Sequence, residues 1–364
     1  MKKSLIALAV LAAAGTASAQ SSVTLFGVID ATVQIGRGSV ADVTALGSGG
    51  YNTSRLGFRG TEDLGGGMSA SFWLESDVLV DNGQGGATNI NNQASGTGTP
   101  AAGTFNGRQG LMFNRRSTVS LAGGWGEVRL GRDYTPQFWN QVAFDPFGVV
   151  GVGNTLTFAD IGGAAAVRAP TAVRASNSIG YFLPSNLGGF YGQAMYHMGE
   201  NASNAGATED DGSGYGFRLG YAAGPLNVAV GYGTTNYAAG DAKTVNIGAQ
   251  WGFGFGRLMG QYQRESLGAV DSDSWLIGGL VPVGAGEIRA AYSQRETETG
   301  VAGAEPRARK LSLGYVHNLS KRTAVYTTVA RVRNSGGAAL ALNGATTAAN
   351  QSSTGFDLGV RHAF

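Results

Sequence analysis

GFDLGVRHAF, Gly355–Phe364, is the stretch whose reading decides the fold. Phe356, Leu358 and Val360 alternate with Gly355, Asp357, Gly359 and Arg361, and the chain runs out on Phe364. A period of two puts one face in an apolar medium and leaves the other polar or small, as in a strand half in oil. The edge of a soluble sandwich fits that pattern too. A barrel in a membrane fits it better, because its last strand pairs with its first and leaves no open edge.

The opposite end narrows the choice. Met1–Ala19 reads as a secretory signal: Lys2 and Lys3, then the apolar run Leu5–Ala14, then the small-residue site Ala17-Ser18-Ala19. Its removal near Ala19 leaves 345 residues with 24 basic and 24 acidic side chains, a net charge of zero. A neutral chain lacks the basic excess that nucleic-acid binding demands. With no cysteine there is neither a disulfide framework nor thiolate chemistry. Glycine numbers 61 and charged residues only 14%, and no run of 18 apolar residues follows the leader. A membrane helix therefore has no candidate segment, whereas a shell with a greasy outside and a wet inside does.

One unit repeats through the rest. Alternating segments lie near 23–35, 54–61, 68–77, 113–122, 126–132, 173–182, 190–198 and 214–222. Eight more follow near 226–236, 243–251, 256–265, 273–281, 286–296, 308–316, 322–333 and 354–364. The segment 322–333 is ambiguous, since Val325 and Val329 share a face with Arg331 and Arg333. Seven connections are short, such as Glu62–Gly67 and Pro282–Gly286. Eight are read as long: 36–53, 78–112, 133–172, 199–213, 237–242, 266–272, 297–307 and 334–353. That short–long alternation predicts an all-β, sixteen-stranded antiparallel transmembrane barrel over residues 20–364. At sixteen strands the side chains no longer fill the interior, and a water-filled channel remains.

Several motifs then act in combination. SSVTLFGVIDATV (Ser21–Val33), SRLGFRGTEDLGGG (Ser54–Gly67), FWLES (Phe72–Ser76), RRSTVSL (Arg115–Leu121), GEVRLGRD (Gly126–Asp133), LGYVHNLSKRTAVY (Leu313–Tyr326) and GVRHAF (Gly359–Phe364) resemble the general porins of β-proteobacteria. The resemblance spans the chain from Gln20 to Phe364. It implies a homotrimeric diffusion channel in the outer membrane of a Gram-negative bacterium, resembling the anion-selective members. It further implies contacts with outer-membrane lipid and lipopolysaccharide, and delivery to the barrel-assembly machinery through Phe364. It makes the third external loop, Tyr134–Ala172 with FDPFG at Phe144–Gly148, an inward-folded constriction. Length alone marks that stretch as functional.

Alternation assigns Arg55, Arg59, Arg174, Arg218, Arg257, Arg289 and Arg361 to the lumen, against Asp30, Glu75, Glu287 and Asp357. Guanidinium stays charged at any physiological pH, and rings of it favour anions in pores. The resemblance selects Arg55, Arg115 and Arg174 as constriction arginines, with Glu75 and Asp145 as their acidic counterparts. Strict alternation with Val119 and Leu121 instead turns Arg116 inward and Arg115 toward lipid, where it would cost about 2–4 kcal/mol at mid-depth. Both remain open at this point, one of them at a rim or bulge.

Enzymatic readings find no support. His197, His317 and His362 show no ligand spacing, so no metal or other cofactor is expected. No nucleophile elbow occurs. The reading is a passive, anion-preferring channel, with a solute-specific channel (phosphate, dicarboxylate or sugar) or a structural, adhesive barrel as alternatives.

Overall fold

The computed structural model describes residues 22–86, 92, 112–159, 169–300 and 305–364. The Met1–Ala19 leader, most of the 78–112 connection, and Asp160 and Arg168 of the third loop lie outside them.

The alternating segments form strands: β1 (Ser22–Arg37), β2 (Val43–Ser48), β3 (Arg55–Gly65), β4 (Met68–Asp77), β5 (Arg116–Gly123), β6 (Gly126–Tyr134), β7 (Arg174–Phe182), β8 (Phe190–His197) and β9 (Gly214–Ala223). They continue as β10 (Leu226–Thr235), β11 (Ala242–Gly252), β12 (Arg257–Leu267), β13 (Val270–Val283), β14 (Gly286–Glu298), β15 (Arg307–Asn318), β16 (Thr323–Ser335) and β17 (Ser352–Ala363). Apart from β2 and β3, chain neighbours pair antiparallel, and β17 returns to β1 with Ala363 opposite Val28. Phe364 exchanges both backbone hydrogen bonds with Gly27 at 3.1 Å. Its ring lies across Gly27, where a Cβ would fall 2.4 Å from the ring carbon Cζ. Glycine there lets the seam close.

Seventeen segments make sixteen staves. β2 and β3 both pair with β1, β2 along Ala31–Gly36 and β3 along Ser22–Val28, so they are two halves of one stave. The sequence reading placed β2 inside a loop, 36–53. Between the halves, Asp30 accepts the backbone N–H of Tyr51 (2.9 Å) and Asn52 (2.6 Å), while Tyr326 donates to its other oxygen. That carboxylate interrupts the stave and holds Tyr51 on the inner side.

A second difference concerns 266–272, expected as a long loop. β12 reaches Leu267 and β13 begins at Val270, leaving only Gly268 and Ala269 between them. Ladder pairs such as Glu265 with Ser272 extend this hairpin beyond the apolar band, so the alternation signal fades before the pairing does.

Faces segregate as a membrane demands. Leu25, Val119, Ile179, Phe217, Ile247, Ile277, Leu313 and Val360 are all exposed on the outside. A soluble monomer rarely shows so continuous an apolar belt. Inside are Thr32, Gln193, Asn246, Gln263, Ser274 and Ser312, all buried.

Candidate permeation pathway

Helix α1 (Pro136–Ala143) follows β6 directly, with proline in its first turn, where the missing N–H costs nothing. It lies on the inner faces of β9, β10 and β11. Glycines make room for it: a Cβ on Gly248 would fall 2.0 Å from the Phe144 ring. Amides fasten it. Asn140 Nδ2 donates to Asn246 Oδ1 (3.0 Å), Asn246 Nδ2 to the Gln137 carbonyl (2.9 Å), and Gln141 to Gln263.

The next stretch crosses to the far wall and is held there by charge. Val152 N–H donates to Asp357 (2.9 Å), and Lys310 Nζ reaches the Val152 carbonyl (3.2 Å) and Asn154 (2.8 Å). Arg295, paired with Glu265 at 2.8 Å, donates to the Thr157 carbonyl at 2.6 Å. Val152 and Leu156 pack with Ala308, Ala330 and Val332. Asp145 folds the stretch on itself by accepting the N–H of Phe147 (2.9 Å), Val149 (3.0 Å) and Thr155 (2.8 Å). Val149 sits at φ 62°, an unfavourable backbone for a β-branched residue that this carboxylate holds in place. Burial pushes the Asp145 carboxyl up from the ordinary range, against the pull of those amides and of Lys310.

Beside this segment lies a cavity of about 970 Å³. Arg55, Arg115, Arg174, Arg257 and Arg289 line it, with Asp77, Asp145, Tyr51, Tyr134 and residues 146–150. Arg115 and Arg116 both point inward. Arg116 stands opposite Glu75 in the ladder, its guanidinium 4.6 Å from the centre of the Trp73 ring. Arg115 precedes β5 at a bend, and its guanidinium meets Glu75 (2.6 Å), Asp77 (2.8 Å) and the Tyr134 hydroxyl (2.7 Å). The dilemma of strict alternation dissolves, because residue 115 lies outside the strand.

Tyr134 also accepts from Arg174 (2.9 Å), whose guanidinium lies 4.4 Å from its ring centre. Arg55 is 3.8 Å from Glu75. Arg174 and Arg257 line the cavity with no carboxylate within ion-pair distance among the described residues, though Asp77 on the same wall acts on Arg174 from farther off.

The other anticipated residues divide. Arg59 joins Phe26 and Trp73 in an inner aromatic cluster, 5.4 and 5.2 Å from their ring centres. Trp73 donates to Glu75 at 3.0 Å inside the barrel. Arg289 pairs with Glu287 at 2.9 Å and covers Tyr51 at 4.4 Å, with Arg361 on the same ring at 5.8 Å. Arg218 supports α1 through Asn140 and lies over Tyr191. Asp30, Asp145 and Asp357 spend their carboxylates on backbone, amide and hydroxyl donors rather than on guanidiniums. Asp77, Tyr134, Tyr51, Lys310 and Arg295 were not singled out from sequence. Alternation with Glu75 and with Leu311 would have found Asp77 and Lys310. Nothing local signals Tyr51.

A closed sixteen-stave barrel with an apolar outside, a polar inside and an arginine-lined cavity defines an outer-membrane channel. The chain belongs to the Gram-negative porin family, which it matches over residues 5–337. It is 38% identical to outer membrane porin protein 32 of Delftia acidovorans, each covered completely. It is 29% identical to an outer membrane porin protein of Bordetella pertussis, over 90% of this chain and 93% of that one. The solved anion-selective porin from Comamonas acidovorans superposes with a TM-score of 0.79 at 35% identity, covering 94% of this chain and all of the other. The trimer form of OmpT from Vibrio cholerae, at 14% identity and a TM-score of 0.62, shares the fold. The protein is thus a passive channel of the outer membrane and not an enzyme.

Proposed function

We propose that the pore prefers small anions and sets that preference in the cavity between Arg55, Arg115 and Arg174 on one side and Arg257 and Arg289 on the other. The observation that carries this reading is the imbalance of charge there. Arg115 is neutralised by Glu75 and Asp77, whereas Arg174 and Arg257 face the cavity with no carboxylate of their own. Low-dielectric walls focus such a field on the water between them. An anion exchanges part of its hydration for guanidinium contacts, while Glu75 and Asp77 keep the site from holding it so tightly that flux falls. The segment Thr135–Phe158 acts as the constriction, and Tyr51 narrows the passage from the interrupted stave. Likeness to an anion-selective porin supports the sign of the preference.

The channel works as a homotrimer with its longer loops outward, embedded among lipopolysaccharide and inserted by the barrel-assembly machinery through the β17 end. Single-channel recording across a KCl gradient tests the pore. Stepwise openings reversing on the chloride side are expected, and reversal on the potassium side would discard the arginine assignment.

A further inference from the structure

Two guanidiniums in the cavity wall share one neutral oxygen. Arg115 Nη2 donates to the Tyr134 hydroxyl at 2.7 Å, and Arg174 Nη2 donates to the same oxygen at 2.9 Å. Guanidinium has no lone pair to offer, so the phenol oxygen is the acceptor in both bonds. With its acceptor positions taken, the hydroxyl must send its own hydrogen elsewhere. Among the described residues no acceptor stands within hydrogen-bond distance to receive it. Tyr134 lines the cavity, so that O–H is left for whatever the cavity holds.

Elsewhere the chain uses its tyrosine hydroxyls internally. Tyr181 donates to the Trp125 carbonyl, Tyr237 to that of Asn92 and Tyr326 to Asp30. Tyr191 is the nearest parallel, because Arg218 lies 4.7 Å from its ring centre and donates to its oxygen at 3.3 Å. There the O–H goes on to Asn227 Oδ1 at 2.6 Å.

The Tyr134 ring is also held so that its hydroxyl keeps one direction. Tyr134 closes β6 just past a break in register between Gly131 and Asp133. Strict alternation with Leu130, exposed on the outer face, would send Tyr134 outward, and the break turns it into the cavity. Phe138 stacks on the ring at 5.0 Å, Trp139 meets it edge-on at 5.2 Å, and the Arg174 guanidinium covers it at 4.4 Å. Asp133 accepts the backbone N–H of Tyr134 at 2.8 Å.

We propose that Tyr134 is a ligand of the permeating anion, its O–H completing a donor set with Arg174, and that it ranks anions of equal charge. The field of the arginines acts on any such anion in much the same way. A hydrogen-bond donor discriminates, since it replaces the hydration that a small, tightly hydrated anion gives up in a narrow site. Two charged donors on the phenol oxygen polarise its O–H and strengthen the bond it makes. Chloride therefore gains more from Tyr134 than iodide does. The proposal rests on the anion-preferring pore and adds the group that orders one anion against another.

The test is recording of the full-length channel in planar bilayers, in gradients of KCl and of KI and with KI facing KCl. Tyr134→Phe keeps the ring stack and removes only the hydroxyl. It should lower the chloride-to-potassium permeability ratio about two-fold, the weight of one hydrogen bond, and leave the iodide-to-potassium ratio nearly unchanged. The iodide-to-chloride ratio then rises by the same factor. Tyr191→Phe should leave all three ratios as in wild type, because its hydroxyl is already bonded to Asn227. A tyrosine that merely spaces the two arginines would lower both anion ratios alike on removal of its hydroxyl. An unchanged iodide-to-chloride ratio in Tyr134→Phe therefore overturns the proposal. Should that variant fail to assemble, 3-fluorotyrosine introduced at position 134 carries the test. Its stronger O–H donor should lower the iodide-to-chloride ratio in slightly acidic solution, and an unchanged or raised ratio overturns the proposal. A wild-type channel that does not favour chloride over potassium defeats the pore reading and the proposal with it. A chloride-preferring wild type with an unresponsive Tyr134→Phe defeats the proposal alone.

Discussion

The inner wall around β3–β7 and the inner wall around β13–β17 carry similar charged residues and use them differently. On the first, Arg55, Arg115 and Arg174 gather around Tyr134 and face water in the cavity. On the second, Arg295, Lys310 and Asp357 face the peptide groups of Thr157 and Val152. A charge that meets a backbone carbonyl or N–H positions a segment, and one left facing water shapes the potential an ion crosses. Lumen arginines and carboxylates therefore cannot be counted together to obtain a selectivity. The helix end of the crossing segment adds a third style, since α1 is seated by neutral amides and by glycines in the wall.

The comparison breaks most sharply at Arg115. Arg115→Ala should cost about 3 kcal/mol of stability, the low end for breaking a buried pair, because Glu75 keeps Trp73 and Arg55 and the partly exposed Asp77 keeps Asn114. In channels that still assemble, it should turn the reversal potential toward cations; chemical denaturation and bilayer recording read the two effects. Asp145→Ala tests the positioning side. It leaves three amide donors unmet, a penalty of about 1–3 kcal/mol for each one that stays buried. Faster amide exchange over residues 145–155 and noisier, larger openings are expected, with the sign of selectivity kept. A reversal of sign would mean that Asp145 acts on ions directly.

Arg174→Ala with Arg257→Ala should lower the chloride-to-potassium permeability ratio several-fold at nearly unchanged stability, because neither side chain leaves a carboxylate behind. An unchanged ratio would move the selectivity elsewhere. Tyr51→Ala is a smaller perturbation, expected to raise conductance modestly while Asp30 keeps the stave interrupted. The smallest effect is that of pH. Between pH 5 and 9 the reversal potential should hold steady, since guanidinium does not titrate there. A step near neutrality would implicate a group other than arginine.

Much of this was legible in the residues. Phe356, Leu358 and Val360 against Asp357 and Arg361 foretold both a membrane-facing strand and its lumen side, and Arg116 obeyed the same rule. The rule stops where strands stop, which is why Arg115 at its bend, the interrupted stave at 49–54 and the tight turn at Gly268 escaped it. The roles of Asp30, Asp145 and Asp357 escaped for another reason. As lumen acids they look like Glu75, and only the arrival of other backbone groups makes them fasteners.

By itself, then, the sequence determined the barrel, its strand number, the face most strands turn to lipid and the excess of arginine inside. A two-residue period is a local property, enforced at every position by the contrast between oil and water. Only the tertiary structure decided which charges work on ions and which on the chain. That choice rests on contacts such as Asp357 with Val152, 205 residues apart, whose partners meet only once the barrel has closed and the stretch after α1 has reached β17.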